Sequence, residues 1–286
     1  MKVVSDLSAL RGFLEPLRRQ QERVAFVPTM GNLHSGHLRL VAKAKKLADV
    51  VVVSIFVNPM QFGAGEDFEQ YPRTPKDDQA ALQALGVDLL FVPEVETMYP
   101  RPLTETTFVE VPGLSDILCG AYRPGHFRGV ATVVSRLFNL VQPNIAVFGK
   151  KDYQQLAVIR RMVDDLAMPL EIIGVDTVRE ADNLAMSSRN RYLSVSERAT
   201  APTLYATLDS IRSLIISVGE IPLDIEHQAM TRLKSAGFRP DYVSIRRQTD
   251  LAAAAPEDTR LVILAAAWLG KTRLIDNLEF ELNPEA

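Results

Sequence analysis

Four histidines occur in the 286-residue chain, and two of them stand three apart within VAFVPTMGNLHSGHLRLVAKA, residues 24–44. His34 and His37 fall where an apolar, strand-like run gives way to helical spacing, with Leu40, Val41, Ala44, Leu47 and Ala48 on one face. Imidazoles from a loop and from the first helical turn can converge on one anion. The positive end of the helix dipole and its unpaired backbone N–H groups strengthen that pull. Gly36 lacks a Cβ and leaves the backbone open to the flat face of a base or sugar. An arbitrary H-x-x-H is more often a pair of surface or capping side chains. Directly after a P-T-M-G turn at a strand–helix corner, H-x-G-H is far more specific. Zinc is a poor alternative, because only His126 and His227 remain as nitrogen ligands and Cys119 is the one cysteine. The common phosphate loops, G-x-x-x-x-G-K-[ST] and G-x-G-x-x-G, do not occur at this turn.

A second constellation lies in READNLAMSSRNRYLS, residues 179–194, where Met186, Ser187, Ser188 and Arg189 offer two hydroxyls and a guanidinium. Arginine donates in a planar fork suited to phosphate oxygens. On a hinge, such a segment can close over a triphosphate and neutralise charge as pyrophosphate departs. Taken alone it reads as a polar interdomain linker; beside H-x-G-H it becomes half of a signature.

The elements that must position these groups alternate. VAFVP reads as a short buried strand, and VVVVSIFV (50–57) as a strand covered on both faces, since its β-branched run is nearly unbroken. Further strands are expected at VDLLFVP, 145–148 and 170–175. Helices are expected over 6–22 with a kink or break at Pro16, over 36–48, 128–141 and 152–167, and in PKDDQAALQALG between Pro75 and Gly86. That rhythm implies βαβ units, a parallel sheet and ligands beyond the strands' carboxyl ends. After about residue 176 it changes to helical stretches at 196–217 and 223–236, then strand-like DYVSIR, RLVILAAAW and TRLIDNLEF. The fold class is therefore α/β, with a Rossmann-like parallel-sheet domain over 1–178 and a smaller C-terminal α+β domain over 179–286.

Composition is that of a soluble globular protein, 47% hydrophobic and 23% charged, and the net charge of −3 argues against a general nucleic-acid binder. LVILAAAWLG is about half a membrane span. The opening residues are interrupted by Asp6, Arg11, Glu15 and Arg18 and do not read as a secretory signal. A cytoplasmic protein without nucleic-acid or membrane partners is expected.

The two constellations together resemble the HIGH and KMSKS elements of the nucleotidyltransferase superfamily shared with class I aminoacyl-tRNA synthetases. More closely, the chain resembles the pantoate–β-alanine ligase family. Its hallmarks follow in order as PTMGNLHSGH, SIFVNPMQF, YPRT, PGHFRGVATVV, FGKKDYQQL, READNLAMSSRN and AAAWLGKTRLIDN. The resemblance implies attack of pantoate's carboxylate on the α-phosphorus of ATP, then attack of β-alanine's amine on the pantoyl adenylate. No covalent enzyme nucleophile is needed.

The resemblance further implies ATP contacts from Met30, Gly31, Asn32, Leu33, His34, Ser35, Gly36 and His37. A second set comprises Gly149, Lys150, Lys151, Asp152, Val178, Met186, Ser187, Ser188 and Arg189. His37, His34 and Lys151 are the catalytic candidates. His37 would serve as general acid or as donor to the developing pyrophosphate, favoured in its protonated form by the phosphates. Lys151 would meet the α-phosphate, and Asp152 the ribose or a cation. Asn58, Gln61 and Gln155 are neutral amides suited to pantoate and β-alanine, because they can bind a carboxylate without quenching it. Asp77 and Asp78 offer carboxylates to a largely hydrated Mg²⁺, although acids in a helix's first turn ordinarily complement its dipole. Arg123, His126 and Arg128 would line the pocket mouth. A homodimer formed through the large domain is implied. Two positions depart from the family pattern: Lys150 adds a charge beside Lys151, and Asn183 stands in place of the usual glycine. The alternative is another H-x-G-H nucleotidyltransferase acting on a different small acid or phosphorylated precursor.

Overall fold

The computed structural model describes residues 1–63 and 65–282. In chain order the first elements are β1 (Lys2–Val4), α1 (Leu7–Arg19), β2 (Val24–Thr29), α2 (Ser35–Ala44), β3 (Val50–Ile55), α3 (Pro75–Ala84) and β4 (Leu89–Phe91). There follow α4 (Val95–Met98), α5 (Cys119–Tyr122), α6 (His126–Val141), β5 (Ile145–Gly149), α7 (Tyr153–Asp165) and β6 (Glu171–Val175). The remainder comprises α8 (Val195–Thr200), α9 (Thr203–Val218), α10 (Ile225–Ser235), β7 (Arg239–Arg247), β8 (Arg260–Leu269) and β9 (Thr272–Glu281). These form two compact units, one of Met1–Lys150 with Val158–Asp176, the other of Lys151–Ala157 with Thr177–Ala286.

In the first unit six strands form one sheet in the order β1-β4-β3-β2-β5-β6, and every pairing is parallel. Chain order runs outward from β2 through β3 to β4, then jumps back across β2 to β5. The reversal makes the β2/β5 boundary the topological switch point. There the ladder holds only Ala25 opposite Ile145 and Phe26 opposite Ala146. β2 continues unpaired with β5 as far as Thr29, and β5 as far as Gly149. Beyond these pairs the carboxyl ends of the two neighbours are not laddered to each other, the place where open α/β sheets bind ligands. Helices close both faces, which is why β3 is buried over its first five residues. One face packs Val27, Val53 and Val147 against Leu40, Val41 and Ala44 of α2.

The second unit has the three strands β7, β8 and β9 in an antiparallel sheet. Its core joins Leu204, Leu208 and Ile215 of α9 to Leu261, Ile263 and Ala265 of β8. Arg179 donates to both carboxylate oxygens of Asp276 at 2.7 and 2.9 Å and lies 4.1 Å from the Tyr205 ring centroid. Asp276 is buried, so this paired charge is what keeps it there.

Two local expectations change, and one strand was not expected. β1 is too short to show a strand period and pairs with β4. α1 runs unbroken through Pro16, whose missing N–H falls in its last turns while Leu10 and Leu14 are fully buried. The stretch 196–217 divides at Pro202 into α8 and α9. Among the described residues no helix is long and apolar enough to cross a membrane.

Phe26, fully buried on β2, stands edge-on to Phe138 at 6.4 Å between centroids. Phe26→Ala should cost about 3–5 kcal/mol in a denaturant melt. A loss below about 1 kcal/mol would contradict close packing on this face.

Candidate active site

The PTMG corner is built on a carboxylate. Asp78, buried in the first turn of α3, accepts the backbone N–H of Asn32 at 2.9 Å and of Leu33 at 2.8 Å. Thr74, at the N-cap of α3, donates its hydroxyl to the same side chain at 3.1 Å. Gly31 has φ +80°, and a Cβ there would lie 3.0 Å from both Asp78 Oδ2 and Ile55 Cγ2. Only glycine turns the chain sharply enough here. Thr29 ties the start of the turn to β3, its hydroxyl donating to the Ser54 carbonyl at 2.8 Å.

His34 is the N-cap of α2 and His37 is its third residue. The Gly36 N–H donates to His34 Nδ1 at 3.1 Å, and the His34 N–H to His37 Nδ1 at 3.3 Å. A capping box of two histidines thus satisfies helix donors that otherwise lack partners. It also assigns both tautomers: a ring nitrogen that accepts carries no proton, so each imidazole holds its proton on Nε2. The rings lie 4.1 Å apart. A Cβ on Gly36 would come within 2.8 Å of His34 Nδ1, so this glycine makes room for the ring.

After β3, Asn58 caps a short 3₁₀ turn, Pro59–Gln61, and both amides are buried. Gln61 Nε2 donates to Met30 Sδ at 3.0 Å, which brings the corners after β2 and β3 together. Arg123 and His126 act on Gln61's backbone: His126 Nδ1 is 2.8 Å from its carbonyl oxygen, and Arg123 reaches it at 3.4 Å. Arg123 also pairs with Glu66. Burial alone would raise Glu66's carboxyl, but the Arg123 hydrogen bond and charge, with His126, hold it below its ordinary value. Arg128 is apart from them, pairing with Glu110 at 2.9 Å beside the Phe108 ring.

Gly149 and Lys150 end β5, across the switch point from β2. Lys150 pairs with Asp176 at 2.9 Å, so its charge is directed at that carboxylate rather than added beside Lys151. In the second unit, Asn277 Nδ2 donates to the Lys151 carbonyl at 2.9 Å and Tyr153 donates to Glu279 at 2.8 Å, fixing the GKKD corner from β9. The Lys151 ammonium is 3.9 Å from Asp152, and Gln155 is half-buried on the first turn of α7. Val178 to Met186 form a hairpin closed by the Met186 N–H on the Val178 carbonyl at 3.0 Å. Asn183 supplies its left-handed residue at φ +70°, the conformation that favours glycine or asparagine. Ser187 then caps the 3₁₀ turn Ser188–Tyr192, accepting the Arg189 N–H at 3.2 Å.

The metal expectation for Asp77 and Asp78 changes. Asp78 is occupied by three donors and Asp77 is exposed. No group of three or more His, Cys, Asp or Glu among the described residues could hold a metal ion. This pair does not fit a protein-built Mg²⁺ cage; it is loop scaffold. The sequence signal was present in the buried i, i+4 match of Thr74 to Asp78, but spacing alone does not reveal burial.

A parallel sheet with an H-x-G-H corner at its switch point defines a Rossmann-like, HIGH-type nucleotidyltransferase fold. A family model described as pantoate-beta-alanine ligase matches residues 2–279. The chain is 57% identical over 281 residues to a pantothenate synthetase of Shewanella loihica, covering 98% of this chain and 99% of that protein. It is also 57% identical over 278 residues to one from Idiomarina loihiensis, covering 97% of each. The crystal structure of a Thermus thermophilus pantothenate synthetase superposes with a TM-score of 0.91 at 48% identity, covering 99% of this chain and 100% of that one. A Francisella tularensis pantoate-beta-alanine ligase, complexed with beta-gamma ATP and beta-alanine, gives 0.83 at 33% identity with both chains fully covered. The chain belongs to the pantoate–β-alanine ligase family.

Asp78→Asn keeps the shape but turns an N–H₂ toward backbone donors. It should cost about 2–3 kcal/mol in a melt run without nucleotide or metal. A deficit seen only when Mg²⁺ is present would return the residue to metal binding. The tautomers predict that His37→Gln, whose amide can replace an Nε2 donor, retains more turnover than His37→Ala, which should lose about 10²-fold. Equal losses in steady-state assays would contradict the donor role.

Proposed function

We propose that the chain condenses pantoate with β-alanine at the expense of ATP, through a pantoyl adenylate, releasing pyrophosphate, AMP and pantothenate. The observation that carries this reading is the two-histidine capping box at the switch point, in a chain matched to the ligase family from residue 2 to 279. Another H-x-G-H nucleotidyltransferase is not favoured. It would not require the buried Asn58–Gln61 amide set.

In this proposal the ATP phosphates lie against the α2 N-terminus, where the helix dipole favours anions. His34 and His37 donate from Nε2 to oxygens whose charge grows as pyrophosphate leaves. With Nδ1 accepting a backbone N–H, His37 acts as a neutral donor rather than as an imidazolium acid. Lys151 takes the α-phosphate, held in place through its backbone by Asn277. Ser187, Ser188 and Arg189 bring two hydroxyls and a guanidinium to the triphosphate. Gln61 and Gln155 orient pantoate so that its carboxylate meets phosphorus in line, and β-alanine follows into the same pocket. Mg²⁺ enters with the triphosphate, keeping most of its water. The same reading places the enzyme in the cytoplasm as a homodimer through the large unit.

Labelled pyrophosphate should exchange into ATP when pantoate and Mg²⁺ are present and β-alanine is absent. Exchange that requires β-alanine would refute the adenylate-first order. Exchange indifferent to pantoate would point to a different acid.

A further inference from the structure

Behind Gln61 runs a line of buried polar groups whose far end, Tyr99, lies outside the family motifs. Tyr99, next after α4, is 4% exposed and donates its hydroxyl to Asn58 Oδ1 at 2.8 Å. Burial pushes its phenol well above the ordinary range, so the O–H proton stays in place at any working pH. Asn58, 1% exposed, accepts a second hydrogen bond at Oδ1 from the Met60 N–H at 3.2 Å. A backbone N–H can only donate, which settles which amide atom is oxygen. The Nδ2 group then donates to the Gly129 carbonyl at 3.0 Å and to Gln61 Oε1 at 3.1 Å. All four hydrogen-bonding positions of Asn58 are used.

The same logic passes outward one step. Because Asn58 presents an N–H, the Gln61 atom facing it must be oxygen, and Gln61 must turn Nε2 the other way. There, among the described residues, it meets the thioether of Met30 at 3.0 Å. A thioether is a weak acceptor, easily exchanged for a carboxylate or hydroxyl oxygen. The turn has little freedom to adjust, since Gly129 packs so closely on Met60 that a Cβ would lie 2.3 Å from its carbonyl oxygen.

We propose that Tyr99 is a positioning residue for the acid substrate: backbone groups of Met60 and Gly129 set the polarity of the Asn58 amide, and the Tyr99 hydroxyl holds that amide in place, so that Gln61 meets an oxygen of that substrate as a well-placed donor. The proposal rests on the assignment of Gln61 to pantoate made above. Without the Tyr99 hydroxyl, Asn58 Oδ1 keeps one partner of two, the Met60 N–H, and the Asn58–Gln61 pair is held less firmly. A loosened Gln61 amide would present its Nε2 donor to the substrate oxygen less often.

Tyr99→Phe keeps the ring and its contact with Phe56, 6.2 Å away between centroids. It should raise the KM for pantoate about five- to tenfold while kcat and the KM for ATP change less than twofold. In a Gln61→Ala background the same substitution should no longer affect the pantoate KM. Equal rises in both KM values, a fall in kcat alone, or an undiminished effect without Gln61 would overturn the relay. A readout free of substrate separates this from the ligase reading. Side-chain amide proton exchange of Asn58 and Gln61, followed by NMR, should accelerate at least about tenfold in Tyr99→Phe, one such bond's worth. Unchanged rates would sink the relay whichever acid the enzyme uses, whereas wild-type pyrophosphate exchange into ATP that is indifferent to pantoate would sink only the ligase reading.

Discussion

The ladder between β2 and β5 ends after two residue pairs, and that short seam governs much of the first unit. A parallel sheet whose chain order reverses cannot bridge the reversal with a short loop, so connections on the two sides leave in opposite directions. Beyond Phe26 and Ala146 the strands carry on separately. The corners at their ends, Thr29 to His37 and Gly149 to Lys150, are for the most part half-buried. Each corner must then hold its shape with little help from sheet hydrogen bonds, and each uses side chains to do it. Asp78 holds Asn32 and Leu33; Lys150 pairs with Asp176.

The histidine pair shows how the same groups serve fold and chemistry. Helix starts leave N–H groups without partners, and serine or aspartate usually accepts them. Here imidazole nitrogens do so, at His34 and His37. Satisfying the helix removes the choice of tautomer and leaves both rings as Nε2 donors. A charged imidazolium would forfeit the caps. The local helix geometry therefore favours neutral hydrogen-bond donation over proton transfer at these two positions.

Buried polar groups in the second unit follow the same rule of complete satisfaction. Asp276 takes both arms of Arg179, and Asn277 next to it holds the Lys151 carbonyl. Removing one member would leave a buried charge unpaired, a far larger penalty than the pair's own net contribution. READN and LIDN, nearly a hundred residues apart in sequence, meet in this way: one supplies the guanidinium and the other the carboxylate.

Much was legible in the sequence because it is written in local periodicity. The β-branched run of β3, the helical face of α2 and the change of rhythm after residue 176 each follow from side-chain burial at period 2 or 3.6. The H-x-G-H spacing and the left-handed tolerance of Asn183 are also local. Partnerships across the fold were not legible. Nothing in PKDDQAAL says that Asp78 rather than Asp77 turns inward to hold a loop some 46 residues away. Nothing near Tyr99 announces Asn58, and Pro16 would have been expected to end a helix that burial carries through. Sequence thus determined the elements, the family and the residues capable of chemistry. Tertiary structure alone decided which polar atoms face one another, because desolvation compels each buried donor to find an acceptor wherever the folded chain places one.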